Sequence, residues 1–452
     1  MFIMSEKYRI RGRRAVEIVS SVEKAVTAGA LAPGSALPPL RDLAAELGVN
    51  PNTVASAYRL LRERGVIETG GRRGSRVLPR PAHTARHQVR LDVPSDAHDL
   101  SHGNPSTEQL PSLAEALRHA AAEQDRDPVL YGRASADEQL MDLARREFLA
   151  DGVPPGQIAV TSGALDAIER VLQARLRPGD LVAVEDPGWT SLLDLLPALG
   201  LNAVGVEVDD DGPRLDDVER ALAAGAVALV VTSRAQNPTG AALGSHRAAE
   251  LREVLRLRPD VLVIEDDFGH AIADVPYHSL CAAGGRPVTE HWTVIRSVTK
   301  AFGPDMRLAV LTGDADTVDR VRGRQHLGAG WVSYVLQRAV AQLWNSEAVD
   351  RKRVAGFYGE RRRALILALA DHGVQAYGRS GFNVWIPVPD ETPAVVGLLR
   401  RGWAVAPGSR FCLGSRSGLR LTVSMLGLDE IPGLAADVAA VLRTDLSATR
   451  PA

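Results

Sequence analysis

The spacing of hydrophobic residues divides the chain into two regions with different predicted folds. Over residues 1–80, apolar residues recur at the three- and four-residue intervals of short amphipathic helices. From about Leu100 onward, helical stretches alternate with β-rich runs such as "QIAVTSG", "LVAVEDPGW", "VALVVTS", "VLVIEDD", "TVIRSVTK" and "RLAVLTG". This alternation is typical of an α/β domain whose mostly parallel sheet lies between helices. The sequence therefore predicts a small helical domain followed by a large α/β domain.

The first region contains signals for three helices and a hairpin. A first helix, "RRAVEIVSSVEKAVTAGALAPG", stops at Gly29, and a second follows the double proline of "ALPPLRDLAAELGV" and ends at Gly48. The third follows at once, with Asn50 as N-cap, Pro51 at its first position and Gly65 as terminator. The segment "VIETGGRRGSRVL" predicts two short strands around a Gly-rich turn. Together these elements predict a winged helix-turn-helix.

This first region is basic, whereas the rest of the chain is acidic. Residues 1–80 carry fourteen Lys and Arg against seven Asp and Glu, although the net charge of the whole chain is −2. A basic segment suits a polyanion, but a solvated basic face is equally common. Polar groups on the third helix and arginines on the hairpin turn suit base edges and phosphates of a major groove. These residues are Asn52, Thr53, Ser56 and Arg59 on the helix and Arg72 and Arg73 on the turn. The alternative is a three-helix domain with a polar surface.

A Pro-, His- and Ala-rich stretch with little periodicity, residues 79–99, is expected to be a linker. We therefore place the domains at residues 1–78 and 100–447. His83 and His87 lie at helical spacing, but no nearby acid or cysteine completes a metal site, so we predict none. Two cysteines, no apolar run of membrane-spanning length and no long apolar N-terminal core favour a cytoplasmic protein.

Polar residues follow several predicted strands of the large domain, where ligands collect in parallel sheets. Lys300 follows the apolar run "HWTVIRSV", and a lysine there is costly unless it has a partner, a covalent bond or a route to solvent. It is either a snorkelling lysine or a Schiff-base lysine with Ser297 and Arg307 nearby to hold a phosphate. The stretch "TSGALDAI" lies between a strand and a helix, whose free N–H groups can also receive a phosphate.

The residues at the strand ends form a chemically coherent set. An aromatic, an amide, a carboxylate and an arginine accompany the lysine, namely Trp189, Asn237, Asp266 and Arg420. Pyridoxal phosphate needs a lysine for its aldehyde, an anion for its ring nitrogen, a flat stacking partner and a cationic cup for its phosphate. A substrate carboxylate calls for a bidentate arginine.

Both regions resemble known families. The segment "LAPGSALPPLRDLAAELGVNPNTVASAYRLLRERGVIETGGRRGSRV" resembles the winged helix-turn-helix of GntR-family regulators. That resemblance implies that Arg41, Thr53, Arg59 and the wing residues contact DNA. From Leu100 to about Leu442 the chain resembles fold-type I, class I aminotransferases. The motifs "TSGALDAI", "EDPGW", "NPTG", "EDD", "SVTKAFGPDMR" and "LRLTV" occur in the same order and spacing as in that family.

The second resemblance implies a pyridoxal phosphate site. Lys300 would bind the aldehyde, Asp266 would pair with the pyridine nitrogen, Asn237 would bond the ring hydroxyl and Trp189 would stack on the ring. Arg420 would clamp a carboxylate, and Tyr131 would reach the phosphate of the partner subunit in a homodimer. The phosphate cup would consist of Ser162, Gly163, Ala164, Ser297 and Arg307.

One position departs from the aminotransferase pattern. Phe268 stands where many relatives have a tyrosine that bonds the ring oxygen, so little or no turnover is expected. His270 lies nearby as a substitute donor or an ordinary structural histidine.

The two domains together resemble the MocR (GabR-like) subfamily of GntR regulators. This implies a transcription regulator that binds promoter DNA and senses pyridoxal phosphate or an amino compound. The alternatives are a working aminotransferase with a DNA-binding appendage and a regulator whose large domain is only a dimerisation scaffold.

Overall fold

The computed structural model describes residues 10–27, 30–32, 34–63, 66–69, 74–77, 93–154 and 156–448. The chain forms two compact units, the first built mainly from residues before Arg90 and the second mainly from residues after it. None of the helices described in these ranges is long and apolar enough to cross a membrane.

The first unit contains three helices and a two-stranded antiparallel hairpin. These are α1 (Ala15–Thr27), α2 (Leu40–Leu47), α3 (Pro51–Glu63), β1 (Ile67–Thr69) and β2 (Ser75–Val77). Helix α2 ends where Gly48 takes a φ of 64°, a left-handed conformation that glycine adopts without steric cost. At the start of α3, the side chain of Asn50 accepts a hydrogen bond of 2.8 Å from the backbone N–H of Asn52. The elements of the first unit therefore follow the local sequence signals.

One apolar face of each helix forms the core of this unit. The buried side chains include Ile18, Val19, Val22, Leu43, Ala44, Val54, Ala57, Leu61, Ile67 and Val77. Tyr58 joins this core, and its hydroxyl donates to the carbonyl oxygen of Pro38 at 2.8 Å. Because Val54, Ala57 and Leu61 face inward, the polar side chains of α3 are left on the surface.

The part of the chain after Arg90 contains the remaining elements, most of which belong to the second unit. Its strands are β3 (His98–Asp99), β4 (Gln157–Thr161), β5 (Leu181–Asp186), β6 (Asn202–Asp209), β7 (Gly212–Pro213), β8 (Ala226–Thr232), β9 (Leu262–Asp266), β10 (Ala282–Ala283), β11 (Arg286–Pro287), β12 (His291–Ser297), β13 (Ala309–Gly313), β14 (Asn383–Pro387), β15 (Trp403–Ala404), β16 (Ala406–Pro407) and β17 (Gly418–Thr422). Its helices are α4 (Ala114–Arg126), α5 (Glu138–Ala150), α6 (Ala164–Arg175), α7 (Thr190–Ala198), α8 (Leu215–Ala223), α9 (Ser245–Arg256), α10 (Thr299–Phe302), α11 (Ala315–His326), α12 (Tyr334–Asn345), α13 (Arg351–Asp371), α14 (Glu391–Leu399) and α15 (Ile431–Ala448).

The main sheet has eight strands in the order β4-β13-β12-β9-β8-β5-β6-β7. Strands β5, β8, β9 and β12 are parallel neighbours, and β13 is antiparallel to both β12 and β4. Strand β4 therefore runs in the same direction as β12, so five strands end at the same edge of the sheet. The mostly parallel α/β architecture expected from the sequence is confirmed.

A second, three-stranded sheet has the order β14-β17-β16 and places Arg420 on its central strand. Close to it, β3 pairs in parallel with β15, so that His98 lies opposite Trp403 and Asp99 opposite Ala404. The backbone N–H of Thr422 donates to the carbonyl oxygen of Leu100 at 2.9 Å. The chain immediately after the predicted linker is therefore hydrogen-bonded to the C-terminal part of this unit.

Candidate functional site

Lys300 lies on the short helix α10, just beyond the carboxyl end of β12. The side chain is half-buried, its Nζ donates a hydrogen bond to the carbonyl oxygen of Gly103, and the ring centre of Phe382 lies 5.6 Å away. Burial, together with the positive charges of Arg420 and Arg307, lowers the pKa of Lys300 to about 8. A lowered pKa increases the fraction of neutral amine, which is the nucleophilic form.

Asp266 ends β9, the strand next to β12, and is only 4% exposed. Its Oδ1 is buried and has no hydrogen-bond partner within the described part of the chain. Burial and the neighbouring carboxylates of Asp267 and Glu185 raise the pKa of Asp266 to about 8. An unpaired buried carboxyl is costly, and a protonated ring nitrogen is the kind of group that would pair with it. This orphaned oxygen fits a pyridinium.

The other two acids of the "EDD" motif are already paired. The side chain of Glu265 accepts hydrogen bonds from the hydroxyls of Tyr277 at 2.5 Å and Ser279 at 2.9 Å. That of Asp267 accepts from Arg234 at 2.9 and 2.8 Å and from Arg296 at 3.0 Å. Asp266 is therefore the carboxyl of this motif that keeps an unsatisfied oxygen.

Trp189 and Asp266 line the same small cavity, which also contains Glu185. Trp189 follows β5 and is half-buried. The carboxyl of Glu185 accepts hydrogen bonds from the backbone N–H of Thr232 at 3.1 Å and from Nε2 of Gln236 at 3.2 Å, and burial raises its pKa to about 7. The sequence analysis did not predict Glu185 as a site residue. Its position at the start of the "EDPGW" motif, directly before Asp186 and Pro187, could have indicated it.

Arg420 and Asn237, predicted from distant motifs, are in contact. The guanidinium of Arg420 donates from Nη1 to Oδ1 of Asn237 at 3.0 Å and from Nη2 to the carbonyl oxygen of Ser101. Its Nε is buried and has no hydrogen-bond partner among the residues described here. Burial and the charge of Arg410 lower the pKa of Arg420 to about 10. Arg420 thus keeps its Nε–H donor without a partner in the described residues.

The predicted phosphate cup brings together β4, α6 and the turn before β13. The guanidinium of Arg307 donates from Nη2 to the carbonyl oxygen of Ser162 at 3.2 Å. Gly163 has a φ of 103°, and an added Cβ would lie 2.9 Å from that Nη2, so the position requires glycine. Ala164 begins α6 beside them. Ser297, at the end of β12, shares a hydrogen bond of 2.9 Å with the hydroxyl of Thr299, a residue that sequence reasoning missed.

Tyr131 is 93% exposed, and its ring packs edge-on against Trp331 at a centroid distance of 5.7 Å. The structure does not bring this residue into the cluster formed by Lys300, Asp266 and Arg420.

The surroundings of Phe268 and His270 differ from those of Lys300, Asp266 and Arg420. Phe268 is half-buried and packs against the main hydrophobic core. Both ring nitrogens of His270 are buried without a partner in the described ranges, and burial keeps its pKa well below the ordinary value. His270 lines a different cavity from that of Asp266, together with Trp344 and Arg351. This position favours a structural role for the histidine.

The predicted DNA-contacting residues lie on the surface of the first unit. Asn52 and Arg59 of α3 are exposed, and Thr53 and Ser56 are half-buried on the same helix. Arg41, on α2, is exposed as well. Arg72 and Arg73 lie outside the described residues.

Two family models match the chain, one for each unit. "Bacterial regulatory proteins, gntR family" matches residues 14–77, and "Aminotransferase class I and II" matches residues 95–435. Together they define a transcriptional regulator with a DNA-binding domain and an aminotransferase-like domain. The chain belongs to the GntR family and, through this fusion, to its MocR type, which confirms the resemblance of both regions.

Curated relatives match over most of their length. The "Vitamin B6 salvage pathway transcriptional repressor PtsJ" of Salmonella typhimurium is 41% identical over 95% of this chain and 98% of its own. The "HTH-type pyridoxine biosynthesis transcriptional regulator PdxR" of Corynebacterium glutamicum is 30% identical over 78% of each chain.

Solved aminotransferases share the fold of the second unit. The α-aminoadipate aminotransferase LysN of Thermus thermophilus has a TM-score of 0.69 at 21% identity, covering 78% of this chain and 94% of its own. The aspartate aminotransferase of the same organism has a TM-score of 0.67 at 25% identity, covering 77% of this chain and 92% of its own. The fold-type I architecture is thereby confirmed, and this fold generally depends on pyridoxal phosphate.

Proposed function

We propose that this transcriptional regulator senses pyridoxal phosphate, which binds in the second unit and changes the affinity of the first unit for promoter DNA. The observation that carries the proposal is the orphaned, buried carboxyl of Asp266 beside the strand that leads to Lys300. A buried carboxyl without a partner lowers the stability of the folded protein, and a bound pyridinium would compensate for that cost.

Each residue of the cluster has a role in holding the cofactor. Bound pyridoxal phosphate supplies an aldehyde that condenses with amines and a ring that withdraws electrons. Lys300 offers the amine, Asp266 holds the ring nitrogen protonated, and Trp189 covers the ring. Asn237 is shared between the ring hydroxyl and the guanidinium of Arg420, with which it already forms a hydrogen bond of 3.0 Å.

The phosphate would bind at the junction of β4 and α6. Helix N-termini attract anions because their first N–H groups have no partner within the helix. Gly163 and Ala164 supply N–H groups of this N-terminus, whereas that of Ser162 donates to Asp166 at 2.9 Å. Ser297 supplies a hydroxyl, and the guanidinium of Arg307 lies against Ser162. The conformation of Gly163 brings the backbone close to that arginine.

The effector is proposed to be a form of vitamin B6, with or without an amino compound. The printed names of the two relatives above refer to vitamin B6 salvage and to pyridoxine biosynthesis. Arg420 keeps one N–H donor, which supports a carboxylate as a second ligand component. The domain limits proposed for this function stay at residues 1–78, 79–99 and 100–447.

The second candidate function is aminotransferase activity. It is favoured by the lysine and the aspartate, which lie at the ends of neighbouring strands, and by Arg420, whose charge acts on Lys300. Phe268 argues against rapid turnover, because a phenyl ring donates no hydrogen bond to the cofactor oxygen. Lys300 must move a proton between substrate and cofactor, and this step depends on protonation and geometry at that oxygen.

We also propose a homodimer. Leu130, Tyr131 and Leu327 are 72%, 93% and 88% exposed, and Trp331 packs against the tyrosine ring. Large exposed apolar side chains in one region are typical of an interface. In a dimer, the hydroxyl of Tyr131 would reach the phosphate of the partner's site.

Two measurements on one preparation test the proposed function. Operator affinity is measured with and without pyridoxal phosphate, and keto-acid formation from a panel of amino acids is followed over hours. We expect the cofactor to change operator affinity while turnover stays slow or undetectable. Rapid turnover with unchanged operator affinity would establish the enzyme instead.

A further inference from the structure

Two cationic groups of the proposed cofactor site, Lys300 and Arg420, are bound by one short segment of the same chain, residues 99–104, which we name the strap. Nζ of Lys300 donates to the carbonyl oxygen of Gly103, and Nη2 of Arg420 donates to that of Ser101. These two side chains are also those that the proposed function assigns to the aldehyde and to a carboxylate. The strap and the ligand would therefore compete for Nζ of Lys300.

The strap is folded by its own first residue. The carboxylate of Asp99 accepts hydrogen bonds from the backbone N–H of Ser101 at 2.8 Å, from its hydroxyl at 2.6 Å and from Nδ1 of His102 at 2.6 Å. Although burial opposes it, these bonds keep the pKa of Asp99 below its ordinary value, so the carboxylate is ionised at neutral pH. Because three hydrogen bonds to Asp99 close this turn, residues 99–102 are expected to move together as a rigid unit.

The two ends of the strap are held differently. At its end, the carbonyl oxygen of Asn104 accepts a hydrogen bond of 2.6 Å from the hydroxyl of Ser424. At its start, Asp99 belongs to the two-residue strand β3, which pairs with β15, and the backbone of Leu100 is hydrogen-bonded to Ala404 and Thr422. Asp99 is also the last residue of the predicted linker, so the strap and the chain that leads to the DNA-binding domain are adjacent in sequence.

We propose that the strap couples cofactor binding to the linker by competing with pyridoxal phosphate for Lys300, an inference that rests on the proposed function. When Nζ condenses with the aldehyde, a C=N double bond forms and the aldehyde oxygen leaves as water with both amine hydrogens. The nitrogen of Lys300 would then carry at most one hydrogen, fewer than the free amine. The carbonyl of Gly103 then loses its donor, and an unpaired carbonyl favours a position that reaches water.

Competition between the strap and the cofactor predicts the direction in which cofactor affinity changes when the strap is weakened. If binding must displace the strap, then weakening the strap tightens cofactor binding and reduces the response of the DNA-binding domain, because coupling between two sites is reciprocal. Ordinary structural damage near the site would weaken cofactor binding instead. The direction of the change in cofactor affinity therefore separates the two explanations.

The test uses the full-length protein and pyridoxal phosphate as the probe. Asp99→Ala removes the acceptor that folds the strap. Ser101→Ala removes the hydroxyl that contacts Asp99 and His102, and Asp96→Ala alters an exposed acid three residues earlier as the matched control. Cofactor affinity is measured by absorbance and operator affinity by titration with and without cofactor. Hydrogen exchange is followed in peptides covering the strap.

We expect Asp99→Ala to bind the cofactor about three- to tenfold more tightly, the range for one lost competing hydrogen bond, and to lose most of the operator response. Ser101→Ala should show a smaller change in the same direction, which keeps the test valid if Asp99→Ala misfolds. In the wild-type protein, the cofactor should speed exchange within the strap.

Two outcomes would overturn the proposal in distinguishable ways. If the variants bind cofactor equally or more weakly and keep the wild-type operator response, the strap has no coupling role and the proposed function stands. If the cofactor changes operator affinity neither in wild-type protein nor in the Asp96→Ala control, the proposed function fails and the strap proposal falls with it.

Discussion

Burial moves the pKa values of Asp266 and Lys300 toward each other, although one residue is an acid and the other a base. Removal from water disfavours charge in both, so it raises the pKa of Asp266 to about 8 and lowers that of Lys300 to about 8. A bound pyridinium would restore the charge of Asp266, while the lowered pKa of Lys300 increases the fraction of its reactive neutral amine. Burial of either residue costs stability in the free protein, and one ligand could pair with both.

The first prediction concerns the stability of the cofactor-free protein. A carboxyl whose folded-state pKa is raised costs stability at every pH above its unfolded value, so its removal should stabilise the fold at pH 7–8. Asp266→Asn should therefore raise the melting temperature of cofactor-free protein by a few degrees and weaken cofactor binding at least tenfold. Asp260→Asn, at an exposed position, is the control. A lower melting temperature with unchanged cofactor affinity would contradict the role of Asp266.

The second prediction concerns the rate at which pyridoxal phosphate attaches. Because the neutral amine reacts, the rate should rise with pH up to about 8, the pKa of Lys300, and level off above it. An unperturbed lysine would show a rising rate well beyond pH 9. Borohydride trapping at short times, with peptide mapping, measures the rate and the position of the label. A label on another lysine in Lys300→Ala would refute the assignment.

At the scale of elements, direction in the sheet decides which residues meet. Strands β5, β8, β9 and β12 are parallel, so the residues after their carboxyl ends lie along one edge. The N-terminus of α6 and the turn before β13 complete that edge with Ser162 and Arg307. In the first unit, packing of the apolar face of α3 leaves its polar face on the surface. That face is the part proposed to read DNA.

The third prediction separates base contacts from phosphate contacts in the first unit. Thr53→Ala or Arg59→Ala on α3 should reduce affinity for the operator more than for random DNA, by about 1–3 kcal/mol. The double variant Arg72→Ala/Arg73→Ala should weaken both equally and reduce the salt dependence of binding by about two phosphate contacts. Titrations on both DNAs at several salt concentrations measure these effects. Equal losses on both DNAs from Thr53→Ala would argue against base reading by α3.

At the scale of the whole molecule, a DNA-binding unit and an aminotransferase-like unit share one chain with distinct hydrophobic cores. Separate cores allow each unit to keep its own fold while the connection between them varies. A ligand alters DNA binding only if it prefers one arrangement of the molecule over another. Competition for Lys300 at the strap is a source of such a preference.

The fourth prediction concerns the dimer. If Tyr131 serves the partner's site, Tyr131→Phe should keep the dimer but bind pyridoxal phosphate about tenfold more weakly. Mixing Tyr131→Phe with Lys300→Ala subunits should restore one complete site per mixed dimer, measured as cofactor bound at a concentration where neither variant binds alone. Light scattering reports the assembly state. A stable monomer with full cofactor occupancy, or no restoration on mixing, would contradict the shared site.

Local patterns in the sequence determined the order of the elements, the two-domain organisation and the residue types of the site, because helix periodicity, strand runs and capping residues act over short distances. Only the tertiary structure decided which of the three acids of "EDD" stays unpaired. Tyr277, Arg234 and Arg296 reach the other two acids from distant parts of the chain. The same holds for Glu185 and for the strap, whose contacts with Lys300 and Arg420 use backbone carbonyls. Every residue has such a carbonyl, so no side-chain pattern can identify those that bind, and only the folded chain brings them to their donors.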